Sequence, residues 1–136
     1  MSVEFVDTNI LVYAHDRSAA RKHEQAVELL VRLFEEKTRA ISIQVLTEFY
    51  AAATKKLAMT SVEAEHVLVD MAAWVIHRPD HADLIRAAGF QRRYHISWWD
   101  ALILNSAAEL GCSVLWTEDI SSGQRYGAVT ARNPFV

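Results

Sequence analysis

Cysteine is nearly missing from this sequence: Cys112 stands alone among 136 residues. That excludes an intrachain disulfide and a cysteine-built zinc site, and it suits a reducing compartment. Glycine and proline are scarce too, at 4 and 2, which leaves little chain for low-complexity linkers. Positive charge is in deficit, since 14 Lys and Arg against 17 Asp and Glu give a formal net charge of −3. The chain is therefore not a generally cationic nucleic-acid binder. Any attraction for RNA has to come from a local patch or from bound cations. No apolar run approaches the ~20 residues of a membrane span. The first residues, Met-Ser-Val-Glu-Phe-Val-Asp, carry acids at Glu4 and Asp7 and neither a basic nor a long apolar segment, so no secretory leader is expected. These absences point to a cytoplasmic protein with no membrane partner.

What remains is rich in apolar residues, 51% of the chain, and disorder is not expected. The length suits a single domain over residues 1–136. Val3 to Val6 reads as a first strand, halted by the turn- and cap-forming Asp7-Thr8-Asn9. A short helix over Ile10 to Ala14 and a charged one from Ser18 to Glu36 follow. Val27, Leu30, Val31 and Phe34 give the second of these a core face by their spacing. Ala40 to Ile43 reads as strand two. Gln44 to Leu57 is the next helix, and Thr60 with Glu63 forms a capping-box pattern opening another. Trp74 to Ile76 is strand three. A helix capped near Asp80 and Asp83 is expected to reach Tyr94, and one begun at Ser97 to reach Glu109. Ser113 to Trp116 is strand four and Tyr126 to Ala131 a short fifth. Strands alternating with helices imply an α/β fold with a mostly parallel sheet between helical layers. Ligand chemistry in such folds sits at the carboxyl ends of strands near a topological switch point. Asp7 and Asp119 fall on that rim.

Most acids here occupy charged helix faces, but three do not. Asp7 sits in Phe-Val-Asp-Thr-Asn-Ile-Leu-Val, Glu48 in Val-Leu-Thr-Glu-Phe-Tyr-Ala-Ala, and Asp100 in Trp-Trp-Asp-Ala-Leu-Ile-Leu. Each is the sole charge of its window. Acids are almost never buried unpaired, because desolvation costs several kcal/mol or forces protonation. No Lys or Arg stands nearby in sequence to neutralise them. A shared divalent cation is the economical answer, and carboxylate oxygens favour a hard ion, Mg²⁺ or Mn²⁺. Bland readings compete: Asp7 suits a helix N-cap, Asp100 a cap with Ser97, Glu48 an exposed helix position, and Asp119 a loop. Histidine offers little, since Pro79 between His77 and His81 rules out a shared helical turn. Lys55 and Lys56 could reach phosphate, but a helix C-terminus, where cations are favourable anyway, is the preferred reading. Arg92 and Arg93 are candidate phosphate contacts. Trp98 and Trp99 point about 100° apart on a helix, so at least one is expected in the core.

At this level of detail the chain resembles the PIN domains. Phe5-Val6-Asp7-Thr8-Asn9-Ile10-Leu11-Val12-Tyr13-Ala14 is similar to their opening motif, Thr47-Glu48-Phe49 to the second, Ser97-Trp98-Trp99-Asp100-Ala101-Leu102-Ile103 to the third, and Leu115-Trp116-Thr117-Glu118-Asp119 to the fourth. Asn133-Pro134-Phe135 resembles the tail of bacterial VapC-type toxins. The resemblance implies a PIN-like three-layer sandwich with a five-stranded, mostly parallel central sheet. It implies that Asp7 and Asp100 are the principal Mg²⁺ ligands, with Mn²⁺ as a substitute, that Glu48 and Asp119 complete the acid set, and that Asn9 and Thr117 brace it. Glu118 competes with Asp119 for the fourth place, and the Thr-x-Asp spacing favours Asp119. It further implies a homodimer and a VapB-type antitoxin.

The expected activity is that of a toxin endoribonuclease, hydrolysing tRNA, rRNA or mRNA with a water activated by a divalent ion and leaving 3′-hydroxyl and 5′-phosphate ends. A haloacid-dehalogenase-type phosphatase needs an acid where Asn9 stands. A receiver domain needs an acidic pair by strand one and a phospho-acceptor after strand three, where Asp80 reads as a cap. Nucleases acting on DNA flaps are usually longer. A degenerate PIN module that binds without cleaving would have lost an acid, and none is missing.

Overall fold

The computed structural model describes residues 3–136, with Met1 and Ser2 of the expected domain outside it. Six strands, β1 (Val3–Val6), β2 (Arg39–Ser42), β3 (Val75–His77), β4 (Cys112–Trp116), β5 (Arg125–Tyr126) and β6 (Val129–Arg132), form one sheet in the order β3-β2-β1-β4-β6-β5. Every pairing is parallel except β5 with β6. Six α-helices connect them: α1 (Thr8–Ala14), α2 (Arg21–Glu36), α3 (Ile43–Lys56), α4 (Ser61–Asp70), α5 (His81–Tyr94) and α6 (Trp98–Glu109). No helix among the described residues is long and apolar enough to cross a membrane.

Apolar residues of the middle strands fill the centre of the sheet. Phe5 and Val6 of β1 are fully buried, as are Ala40 and Ile41 of β2 and Leu115 of β4. Burial on both faces is what a parallel sheet covered by helices demands. The chain winds outward from β1 through β2 to β3, then crosses to β4 on the other side of β1. The switch point therefore lies between β1 and β4. There Val6 pairs with Trp116 and the Asp7 N–H donates to the Trp116 carbonyl at 3.0 Å, which sets Asp7 beside Thr117.

The expected α/β sandwich is present, with two differences of detail. The expected fifth strand is a hairpin, β5 and β6, because Gly127 at φ 65° turns the chain between Tyr126 and Val129. That positive φ is open to glycine at little cost. The core face assigned to α2 is rotated. Ala26, Leu29 and Leu33 are buried, Leu30 is half-buried against the core, and Val27, Val31 and Phe34 are exposed. The helix has more apolar residues than one face can bury. The observed rotation brings Arg32 to 3.8 Å from Glu4 and over the Trp116 ring. Phe34 is covered on one side by the Arg39 guanidinium, 4.3 Å from its ring centre.

Local signals hold closely elsewhere. Thr60 and Glu63 make the expected capping box on α4, and Asp80 and Asp83 make another on α5.

Candidate metal centre

The segments after β1 and β4 and the helices α1, α3 and α6 converge on the carboxyl edge of the sheet. Asp7 leaves β1 as the N-cap of α1, where its Oδ1 accepts from Thr8 N–H at 2.6 Å. Its Oδ2 accepts from Thr117 Oγ1 at 2.8 Å. Thr117, fully buried after β4, also accepts from Asp119 N–H at 3.1 Å. One hydroxyl thus ties two of the acids to a fixed spacing. Asn9 Nδ2 donates to both Asp119 oxygens, at 3.3 and 3.1 Å. Asp100 stands in the first turn of α6, whose N-cap Ser97 accepts from the Asp100 N–H. The reciprocal half of a capping box, from the Asp100 carboxylate, is not formed there.

Asp7, Asp100 and Asp119 each offer a carboxylate oxygen, all within 4.8 Å of one another, and no other such cluster of acids, histidines or cysteines occurs among the described residues. They line a pocket of about 240 Å³ with Thr8, Asn9, Gln44, Glu48, Lys56 and Trp99. Glu48 faces the same pocket but stands outside the group of three. Thr8 Oγ1 donates to its Oε1 at 2.9 Å and Gln44 Nε2 to the same oxygen at 3.4 Å, which leaves Oε2 outside both bonds.

The electrostatics are those of an unneutralised cluster. Asp7 is only 5% exposed. Burial raises its carboxyl to about 7, opposed by the hydrogen bonds from Thr117 and Thr8 and reinforced by Asp119 and Asp100. Asp119 is raised as well, by partial burial first and then by Asp100, Glu118 and Glu48. Carboxylate oxygens that repel one another across a shared pocket fit a hard divalent cation.

The structure separates Glu118 from Asp119. Tyr13 Oη donates to Glu118 Oε1 at 2.6 Å and Lys22 Nζ to Oε2 at 3.0 Å. Asp119 turns toward the cluster. Thr8 and Gln44, which hold Glu48, were not singled out in the sequence. Their signals were adjacency to Asp7 and the four-residue step to Glu48 on one helix face. For Lys56 the sequence favoured a helix-end cation over a phosphate contact. It does lie in the last turn of α3, and it also lines the pocket. Neither tryptophan is in the core: Trp98 is half-buried, and Trp99, 62% exposed, stands on the pocket rim. Arg92 and Arg93 are exposed in the last turn of α5 and do not line the pocket.

Residues 5–122 match the family described as PIN domain. No curated protein matches the sequence. Solved structures of similar fold include a toxin–antitoxin complex from Klebsiella pneumoniae, 22% identical with a TM-score of 0.67 and 98% of each chain covered. DNA-bound VapBC from Salmonella typhimurium is 19% identical, with a TM-score of 0.69 and 98% and 99% covered. VapC20 of Mycobacterium tuberculosis, described as a toxin cleaving the sarcin-ricin loop, is 16% identical, with a TM-score of 0.66 and 85% and 89% covered.

Proposed function

The chain belongs to the PIN domain family, and on that premise we propose that it is a divalent-metal-dependent endoribonuclease, the toxin of a toxin–antitoxin pair. The observation that carries this reading is the group of three aspartate oxygens within 4.8 Å. They come from three separated parts of the chain into a pocket where Asp7 is buried without a cation partner. A purely structural cluster has no reason to accept that cost.

In this reading Asp7, Asp100 and Asp119 hold Mg²⁺ or Mn²⁺. When bound, the ion acts as a Lewis acid that makes water more acidic and offsets charge on the phosphodiester. Glu48 Oε2, outside the bonds that fix Oε1, takes the proton of the attacking water. Thr117 and Asn9 keep the Asp7 and Asp119 carboxylates in place, as the partners of metal ligands commonly do. In-line attack on phosphorus leaves a 3′-hydroxyl and a 5′-phosphate. Trp99 suits stacking on an unpaired base beside the scissile bond. Lys56, and beyond the pocket Arg92 and Arg93, suit phosphate contacts.

The likeness to toxin–antitoxin complexes motivates a VapB-type antitoxin as partner and a homodimer as the working assembly. A single sheet that takes strands from Val3 to Arg132 supports reading the chain as one PIN domain.

The test is incubation of the purified, antitoxin-free protein with total bacterial RNA and Mg²⁺ or Mn²⁺, followed by mapping of new 5′-phosphate ends. Discrete ends that vanish with a chelator and in Asp100→Asn are expected. Cyclic 2′,3′-phosphate products, or cleavage that survives the chelator, would reject the mechanism. Metal binding by a folded protein that yields no ends would instead favour a PIN module that binds without cleaving.

A further inference from the structure

The segment Asn133-Pro134-Phe135 lies outside the metal pocket, yet its contacts lead back to it. Phe135 packs edge-on against Tyr13, with ring centres 5.2 Å apart. Lys22 Nζ sits 5.0 Å from the Tyr13 ring centre and 5.4 Å from that of Phe135. These three side chains form a small cation–aromatic box, and what it grips is the carboxylate of Glu118, through the Tyr13 hydroxyl and the Lys22 ammonium. Glu118 is the residue before Asp119. The tail is itself fixed: Asn133 N–H donates to Ser122 Oγ at 3.1 Å, and Asn133 Oδ1 accepts from Phe135 N–H at 2.8 Å. Pro134 restricts the backbone between those two bonds.

Thr117, on the other side of the same short loop, is anchored by its N–H to the Arg132 carbonyl at 2.9 Å. The loop that carries Asp119 is thereby pinned at Thr117 from the sheet and at Glu118 from the box. A residue between or beside two such anchors has few orientations left. Asp119 is also the most exposed of the three clustered aspartates, and among the described residues Asn9 alone donates to its carboxylate, so its aim rests on that side-chain contact together with the backbone of its loop.

We propose that Phe135, acting through Tyr13, Lys22 and Glu118, is a positioning residue that aims Asp119 into the metal pocket. The tail would then serve the metal centre by closing a box around its neighbour, without touching the ion or the substrate. This rests on the reading of the acids as a metal centre.

The experiment compares Phe135→Ala, Phe135→Tyr and Tyr13→Phe, each alone and combined with Asp119→Asn, in the full chain. Mn²⁺ affinity is measured by calorimetry, and amide hydrogen exchange is followed over residues 117–122. Phe135→Ala is expected to weaken Mn²⁺ binding about tenfold, the scale of losses at supporting partners of metal ligands, and to speed exchange at 118–120. Phe135→Tyr retains the aromatic contact and should restore both. Tyr13→Phe deletes one hydroxyl and should reproduce the loss in a chain that folds normally. In the Asp119→Asn background the loss in affinity should vanish, since the box then has no ligand to aim. An equal loss in both backgrounds, or unchanged exchange at 118–120, would overturn the proposal. If the unmodified chain binds no divalent ion, the metal reading fails, and the exchange result still decides whether the box fixes the loop.

Discussion

Two buried aspartates, one at each end of the chain's chemistry, have opposite environments. Asp83, 3% exposed, stands in the first turn of α5. Burial alone would raise its carboxyl. Asn105 Nδ2 at 2.9 Å, Asp80 N–H at 2.8 Å, Arg86 at 2.9 Å and the nearby His77 hold it well below the usual carboxylate range. Asp7, 5% exposed, has two hydrogen bonds, no basic partner, and two aspartates beside it. It is pushed up to about 7. Solvent exposure is nearly equal, but Asp7 lies far deeper among protein atoms than Asp83. Depth and the supply of donors together separate them. An acid that serves the fold comes with its own cation and N–H groups, whereas an acid that serves a ligand is left short of them.

Exchanging each carboxylate for its amide is the strongest way to break the comparison. Asp7→Asn should lower cleavage by more than about 100-fold, beyond what losing a supporting group costs. It should also make the metal-free chain more stable at pH 8, by up to about 4 kcal/mol given a carboxyl raised from 3.8 to about 7. Asp83→Asn should do the reverse. Stability falls by roughly 2–3 kcal/mol, because Arg86 and His77 lose their shared anion while half-exposed Arg86 recovers some hydration. Cleavage per folded molecule stays unchanged. Urea denaturation and single-turnover cleavage check both. A destabilised Asp7→Asn, or an inactive but folded Asp83→Asn, would show that the two acids are not divided in this way.

The same contrast explains what the sequence disclosed. Asp7, Glu48 and Asp100 stood out because each was the one charge in an apolar window, and the structure brings all three to one pocket. The caps at Thr60, Asp80 and Ser97 were legible because capping is a rule about neighbours in sequence. Asp83 was read only as part of a cap. Its partners Asn105 and His77 come from α6 and β3, and no local pattern predicts that meeting. The face of α2 was misjudged for a similar reason. Its apolar residues form two overlapping stripes, and packing of Ala26, Leu29 and Leu33 against the core, which the helix's own spacing does not reveal, selects the one that turns inward. The hairpin of β5 and β6 had a local sign, Gly127, within a run read as continuous. The role of Glu118 was out of reach, because its tethers to Tyr13 and Lys22 span 105 and 96 residues of sequence.

A smaller effect, resolved by pH, sharpens the comparison without mutation. For Asp7 the folded carboxyl lies above its unfolded value, so its favourable contribution is complete below about pH 4 and is lost as pH rises toward 7. Asp83 has the opposite sign: its contribution is present above its unfolded value and is lost only in strong acid. Between pH 5 and 8, therefore, Asp7 tilts the stability of the metal-free chain downward and Asp83 adds no slope. Melting temperatures in a chelator should fall across that window, and saturating Mn²⁺ should remove the fall by displacing the proton. Apparent Mn²⁺ affinity should climb with pH up to about 7 and then level. A flat profile in the chelator would mean that Asp7 is neutralised by something other than a proton.

Lys56 is the residue best placed to be that something, since among the described residues it is the one cation lining the pocket. Were it the counter-ion of the acids, Asp7 would resemble Asp83 after all, with a basic partner supplied from another element. The geometry argues otherwise. Lys56 is exposed at the end of α3, forms no ion pair with a pocket acid, and is not among the groups that shift Asp7. An exposed ammonium is well hydrated, and its pull on a buried carboxylate is screened. Its place on the rim suits a phosphate of the substrate better than an acid of the chain. Lys56→Ala should thus leave the melting temperature of the metal-free chain within about 1 °C, as for a surface change worth a few tenths of a kcal/mol. RNA binding to an Asp100→Asn background should weaken only a few-fold, with the salt dependence reduced by about one counterion. A large loss of metal-free stability between pH 7 and 8 would instead make Lys56 the partner that Asp7 lacks, and the division between the two aspartates would rest on distance from the cation rather than on its absence.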